Sequence, residues 1–221
     1  MNKKMLAVLI LLAVAALACT CNLPFGPKQQ TPLPPPSQTN AIFQDDFSNP
    51  GSGWEAEDYD AGSVDYKDGV YSVTSGNTNS TMWGVANRSF DNLVIEVDAT
   101  QVSAGPENDN DYGVICREQG DGNGYYLLVS GDGYYAILKG EGGEFGKLLD
   151  WTQSDAVRQG NATNHIKAVC NGSTLELFVN GQRLATAEDS AFTQGDIALT
   201  TTTYEDVPSE VHFDNLVVSK P

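Results

Sequence analysis

Histidine is almost missing from this chain. There are two in 221 residues, His165 and His212, and neither has the paired ligand spacing of a zinc site. No Gly-x-Ser-x-Gly turn leads into a helix, which removes the usual serine-hydrolase arrangement. Positive charge is scarce as well, with 12 Lys and Arg against 29 Asp and Glu and a formal net charge of −17. Such a surface repels phosphate backbones and anionic lipid headgroups, so nucleic acid is excluded as a partner. After the first twenty residues no segment keeps helical periodicity, which leaves β structure as the way to bury a core.

Apolar length is also limited. Met5 to Ala18 is apolar but shorter than the roughly 20 residues a spanning helix needs. It follows Asn2-Lys3-Lys4 and ends in Ala16-Leu17-Ala18-Cys19. A basic start, a short apolar run and small residues before a cleavage point describe an export signal. The cysteine in that position resembles the lipobox of bacterial lipoproteins. The resemblance implies that residues 1–18 are removed, that Cys19 is acylated, and that the protein works outside the cytoplasm on a membrane it touches through lipid alone. Residues 19–40 are rich in Pro, Gln, Ser and Thr, contain a further cysteine, Cys21, and should form an extended tether. Residues 41–221 are then one folded domain, expected to be a monomer.

Within the domain, short alternating runs sit between Gly, Asn and Asp turns. Examples are VYSVTS at 70–75, LVIEVDATQV at 93–102, IKAVC at 166–170 and TLELFV at 174–179. About ten such runs predict an all-β, antiparallel, two-sheet jelly-roll sandwich. A two-residue turn at Asp132-Gly133 would set Ser130 opposite Tyr135, Leu128 opposite Ile137 and Tyr126 opposite Lys139. Leu127, Val129, Ala136 and Leu138 would then face the core, and Tyr126 and Tyr135 would share the outer face. Asn180-Gly181 is the second turn, pairing Leu177 with Leu184 inside and Phe178 with Arg183 outside. Cys116 and Cys170 alternate onto core-facing positions, and an oxidising compartment favours a disulfide between them.

Six pieces in order are FQDDFSNPGSGW at 43–54, YGVICR at 112–117, GYYLLVSGDGYYAILK at 124–139, LELFVNGQ at 175–182, GDIALT at 195–200 and VHFDNLVV at 211–218. Together they resemble the concanavalin A-like jelly rolls of the laminin-G and 3-keto-disaccharide-hydrolase-like group, over about residues 42–219. The resemblance implies a sandwich with a sugar-binding face. It also implies a structural calcium where first and last strands meet, at Asp46 and Asp214 with backbone oxygens near Tyr71. A second calcium candidate is the loop Glu107 to Asp111, whose spacing is not that of an EF-hand.

Catalysis has less support in the residues. Glu96-Val97-Asp98 begins the Glu-x-Asp-x-x-Glu pattern of laminarinase-like relatives, but Gln101 stands in the third place and cannot ionise. His165 is a candidate acid or base in a strand. Sugar binding needs aromatic faces and a few polar groups. Arg117, Tyr126, Tyr135, Trp151 and Phe178 are the candidates, with Trp83 beside them. The expected function is non-catalytic binding of a glycan or other cell-surface polymer. The alternatives are a 3-keto-glycoside hydrolase-like enzyme and a protein-interaction module.

Overall fold

A computed structural model describes residues 40–221. The signal segment, Cys19, Cys21 and the tether up to residue 39 lie outside the described residues. Among the described residues no helix is long and apolar enough to cross a membrane.

Two antiparallel sheets form the sandwich expected from the alternating runs. One has nine strands, in the order β13 (Gln182–Glu188), β12 (Thr174–Val179), β11 (Thr163–Asn171), β6 (Leu93–Ser103), β15 (Ser209–Ser219), β4 (Val70–Ser75), β3 (Gly62–Lys67) and β2 (Glu57–Tyr59). The ninth, β1 (Ala41–Asp45), pairs with β15. The other sheet has six strands, in the order β10 (Glu144–Gln153), β9 (Tyr134–Glu141), β8 (Gly124–Ser130), β7 (Asn110–Glu118), β14 (Asp196–Thr203) and β5 (Ser80–Val85).

The period-two pattern decides what lies between the sheets. Along β6, Leu93, Ile95, Val97 and Ala99 point inward and are fully buried, while Glu96 and Asp98 point out. Phe47, Trp54 and Tyr71 pack edge to face and stacked against one another in the same core. The Tyr71 hydroxyl donates to the Glu55 carbonyl at 2.7 Å, so this buried polar group is satisfied.

The Asn180-Gly181 turn forms as expected, with both residues at positive φ and Phe178 opposite Arg183. A bulge beside Phe178 then pairs Leu177 with Ala185 rather than Leu184. The other hairpin differs by one residue. Its loop holds three residues, Gly131, Asp132 and Gly133, so Leu128 faces Ala136 and Val129 faces Tyr135. The reason is local. Ser130 Oγ accepts the Tyr134 amide at 2.8 Å and closes the longer loop. A Cβ on Gly131 would lie 2.3 Å from Gln101 Oε1 and 2.4 Å from Asn110 Oδ1, so only glycine fits against those two oxygens. The slip sends Tyr135 inward against the main core and puts Ala136 and Leu138 on the outer face with Tyr126.

Cys116 on β7 and Cys170 on β11 form a disulfide that bridges the two sheets. It closes a loop with a sequence separation of 54, a constraint that stabilises by about 4 kcal/mol on the chain-entropy account. Replacing both cysteines by alanine should therefore lower the unfolding free energy by about 2–4 kcal/mol, measured by urea titration. An unchanged denaturation midpoint would show that the bridge contributes nothing.

Candidate functional site

Strand β7 breaks its own alternation at the end that matters most. Glu118 pairs with Asp196 and Cys116 with Ile197, which leaves Arg117 as an extra residue, a β-bulge with φ 59°. Plain alternation places Arg117 outward. The bulge instead swings it inside, where it is 1% exposed. Its guanidinium donates to the carbonyls of Asp91 at 3.1 Å, Gly172 at 2.9 Å and Phe192 at 2.8 Å, and to Asn92 Oδ1 at 3.3 Å. Four hydrogen bonds offset the roughly 1–2 kcal/mol cost of a left-handed residue. Arg117 therefore ties loops together and is not a ligand contact.

The same bulge turns Glu118 to the outer side. Its carboxylate accepts the amides of Gly120 and Gly122, each at 2.8 Å, and shapes the loop between β7 and β8. Gln119 holds that loop to its neighbour by donating to the carbonyls of Arg117 at 2.6 Å and Gln194 at 2.8 Å.

Beside this loop lies an open cavity of about 800 Å³. Trp83 of β5 forms its aromatic wall, and Tyr59 stands at its edge, exposed. Glu55, Glu118, Asp196 and the side-chain amides of Asn87, Gln119 and Gln194 supply its polar lining. No Lys, Arg or His lines it. Burial pushes the Asp196 carboxyl above its ordinary value, helped by the nearby Glu118 charge and opposed by the amides of Arg88 and Ile197. Glu55 accepts the Tyr59 hydroxyl, and that bond pushes the phenol up to about 12. The cavity thus combines one apolar plane with acidic and amide groups, one of the acids holding its proton more readily than usual.

The residues expected to bind sugar do not meet in one place. Tyr126 is on the outer face as expected, but it is 2% exposed and its hydroxyl donates to the Gly122 carbonyl at 2.7 Å. Phe145 covers it edge-on, with ring centroids 5.0 Å apart. Tyr135 faces the core because of the hairpin slip. Phe178 lies on the opposite sheet, half-buried under the Lys167 ammonium, 5.6 Å from its ring centroid. Trp151 is half-buried on the outer face of the six-stranded sheet, packed like Trp83 against Ile115, Tyr126, Leu128, Ala136, Leu138 and Ala198. Glu55, Tyr59, Glu118 and Asp196 were not singled out by sequence. Glu118 and Asp196 read as the ends of alternating strand runs, and only the fold brings the four together.

His165 lies on the outer face of the nine-stranded sheet. Its Nδ1 is 2.8 Å from Asp98 and its Nε2 is 3.4 Å from Glu96. These bonds raise its pKa to about 9, so at neutral pH it is an imidazolium with both nitrogens engaged. This corrects its reading as an acid or base. Asp98 also accepts Asn215 Nδ2 at 3.1 Å.

Asp46 Oδ1 accepts Ser48 Oγ at 2.6 Å, and Asp214 feels the charges of Asp98 and Asp46, which with burial push its carboxyl up. Among the described residues, no three His, Cys, Asp or Glu side chains form a group able to hold a metal ion. A cation at Asp46 and Asp214 would have to be completed by carbonyls and water. In the second candidate loop, burial pushes Asp111 up to about 6, and its Oδ2 accepts the Tyr204 hydroxyl at 2.6 Å.

Folds of this architecture are jelly-roll β-sandwiches. Residues 42–219 match the 3-keto-alpha-glucoside-1,2-lyase-like domain, and the chain belongs to that family. No curated protein matches it. Among solved structures it is similar to the carbohydrate-binding module CBM66 from Bacillus subtilis, with 17% identity, TM-score 0.63, and coverage of 76% of this chain and 96% of that one. A Bacillus subtilis protein of unknown function with a galectin-like fold is 11% identical, with TM-score 0.59 and coverage of 82% and 96%. A protein described with the endo-acting O-glycanases of the human gut microbiota is also 11% identical, with TM-score 0.56 and coverage of 82% and 99%.

The His165 clamp gives a pH prediction. A histidine raised from 6.5 to about 9 contributes stability that is fully present below pH 6.5 and is lost as pH rises through 9. Replacing His165 with Gln should cost on the order of 1 kcal/mol at pH 6, after solvent screening. The difference in unfolding free energy from wild type should shrink towards pH 10. A difference that does not change with pH would mean the imidazolium is not the source.

Proposed function

We propose that this protein binds glycans through the cavity beside Trp83. One observation carries the reading: a half-exposed indole face walls a cavity whose remaining lining is rich in hydrogen-bond acceptors and donors. Sugars present just this combination, an apolar ring face and a rim of hydroxyls. The likeness to a carbohydrate-binding module supports the reading at the level of fold. The binding is of a surface polymer by a domain held outside the cytoplasm on an N-terminal lipid at Cys19. What supports that placement is the Cys116–Cys170 bridge, of a kind that reducing compartments do not keep. Calcium at Asp46 and Asp214 belongs to the same reading as a structural ion, so binding is measured with calcium and with chelator.

The test is a glycan array followed by titration calorimetry. Saturable binding should weaken at least tenfold in Trp83→Ala, measured at a temperature where the variant is still folded by circular dichroism. Failure of every glycan on the array to bind, with and without calcium, would end this reading.

A second reading has its own observation. Burial pushes the Asp196 carboxyl upward beside the Glu118 carboxylate, which accepts two loop amides, and a carboxyl so raised can serve as a proton donor. Membership of a lyase-like family points the same way. Here the domain would cleave a 3-keto-glucoside, with Asp196 as the proton donor. Incubation with a 3-keto-glucoside should then release the free sugar, with turnover falling at least a hundredfold in Asp196→Asn. No release by wild type, or full turnover by the variant, would remove this reading and leave the binding function.

A further inference from the structure

Strand β7 ends at Glu118, beside the cavity, and begins at Asn110. Three oxygens converge at that beginning. Gln101 Oε1, Asn110 Oδ1 and the Asn108 carbonyl all lie within 2.9 Å of one point, the position that a Cβ on Gly131 would take. Glycine keeps that space free of side chain. Gln101 and Asn110 are each 1% exposed, and neither of their side-chain oxygens has a hydrogen-bond partner among the described residues. A buried polar atom without a partner is costly, and two facing one space call for an occupant.

The two carboxamides are held in this orientation by their nitrogens. Gln101 Nε2 donates to Asn108 Oδ1 at 2.8 Å and reaches Asn161 Oδ1 at 3.4 Å. Asn110 Nδ2 donates to Ser209 Oγ at 3.0 Å. The oxygens are the groups left over.

Charge around this point has one sign. Asp132 follows Gly131 in the loop between β8 and β9, and Asp109 lies between Asn108 and Asn110. Burial, with the charges of Asp132 and Glu205, pushes the Asp109 carboxyl up. Among the described residues, none of Asp109, Asp132 and Glu205 is ion-paired with a Lys, Arg or His. A water molecule can donate to only two of the three converging oxygens and does nothing for the acids. Carboxamide and carbonyl oxygens completed by water are ordinary calcium ligands, and nearby carboxylates balance the ion's charge.

We propose that Gln101, Asn110 and the Asn108 carbonyl bind a calcium ion in front of Gly131. The ion would join β6, the start of β7 and the loop between β8 and β9, at residues separate from Asp46 and Asp214. It also gives a use to Gln101, the uncharged residue that interrupts the acidic pattern begun by Glu96 and Asp98.

The test is calorimetric titration of the calcium-stripped full chain with calcium chloride. The background carries Asp46→Asn and Asp214→Asn, so that the other calcium candidate is silent. One ion should bind with a Kd on the order of 0.1–1 mM, and the thermal midpoint should rise with it. Magnesium, which demands a tighter octahedron, should do neither. Adding Gln101→Met, which keeps the length and removes the oxygen, should weaken binding at least tenfold. Adding Gln101→Glu, which puts a charge on the same ligand, should tighten it at least threefold. Circular dichroism sets a temperature at which each variant is folded. A folded background protein that binds no calcium would overturn the proposal and leave the two oxygens to water. So would an affinity that neither Gln101 substitution changes, or equal binding of magnesium. If Gln101→Met does not fold, Gln101→Glu decides: tighter binding upholds the ion, and unchanged or weaker binding overturns it.

Discussion

One extra residue in β7 governs the site. Without the bulge at Arg117, alternation would turn a guanidinium outward and aim the Glu118 carboxylate between the sheets. With it, Arg117 becomes an internal brace whose donors reach three separate loops, and Glu118 becomes the anchor of the loop beside the cavity. The disulfide is attached to the residue immediately before the brace. Sheet-to-sheet linkage, loop bracing and cavity lining thus occupy three consecutive positions, Cys116, Arg117 and Glu118. A bulge inserts one extra residue and re-aims the side chains beside it, and the chemistry of this edge follows from that change.

The two outer faces have diverged under the same alternation rule. On the nine-stranded sheet, outward positions carry charges that satisfy one another, such as His165 with Asp98 and Glu96, Arg183 with Glu176, and Lys67 with Glu210. That face is saturated and offers few unmet groups. On the six-stranded sheet, outward positions are apolar and aromatic, and the acids at their margin lack cationic partners in the cavity lining. Recognition belongs where interactions are incomplete within the chain.

How far the sequence reached can be judged from particular residues. The two-sheet architecture was legible because Leu93, Ile95, Val97 and Ala99 alternate without interruption, and so was the Cys116–Cys170 bridge, since both cysteines fall on inward positions. The Asn180-Gly181 hairpin was legible because its turn demands positive φ at both residues. The Asp132-Gly133 turn misled by one residue, since Ser130 can close a loop with its side chain as well as its backbone. Arg117 misled because a bulge leaves no signature in composition. The cavity was illegible because Tyr59, Trp83, Glu118 and Asp196 are far apart in the chain and share no periodicity.

The pairing of β1 with β15 sets how the domain carries load. The first strand is five residues long and is clamped antiparallel to the last, with Ala41 beside Ser219. Its ladder bonds run across the strand direction. A pull on Ala41 along the strand therefore loads those bonds together in shear, rather than opening them one after another. A domain that grips a polymer at one face and is drawn from its first residue would share the strain along an entire strand before any part of its core was exposed.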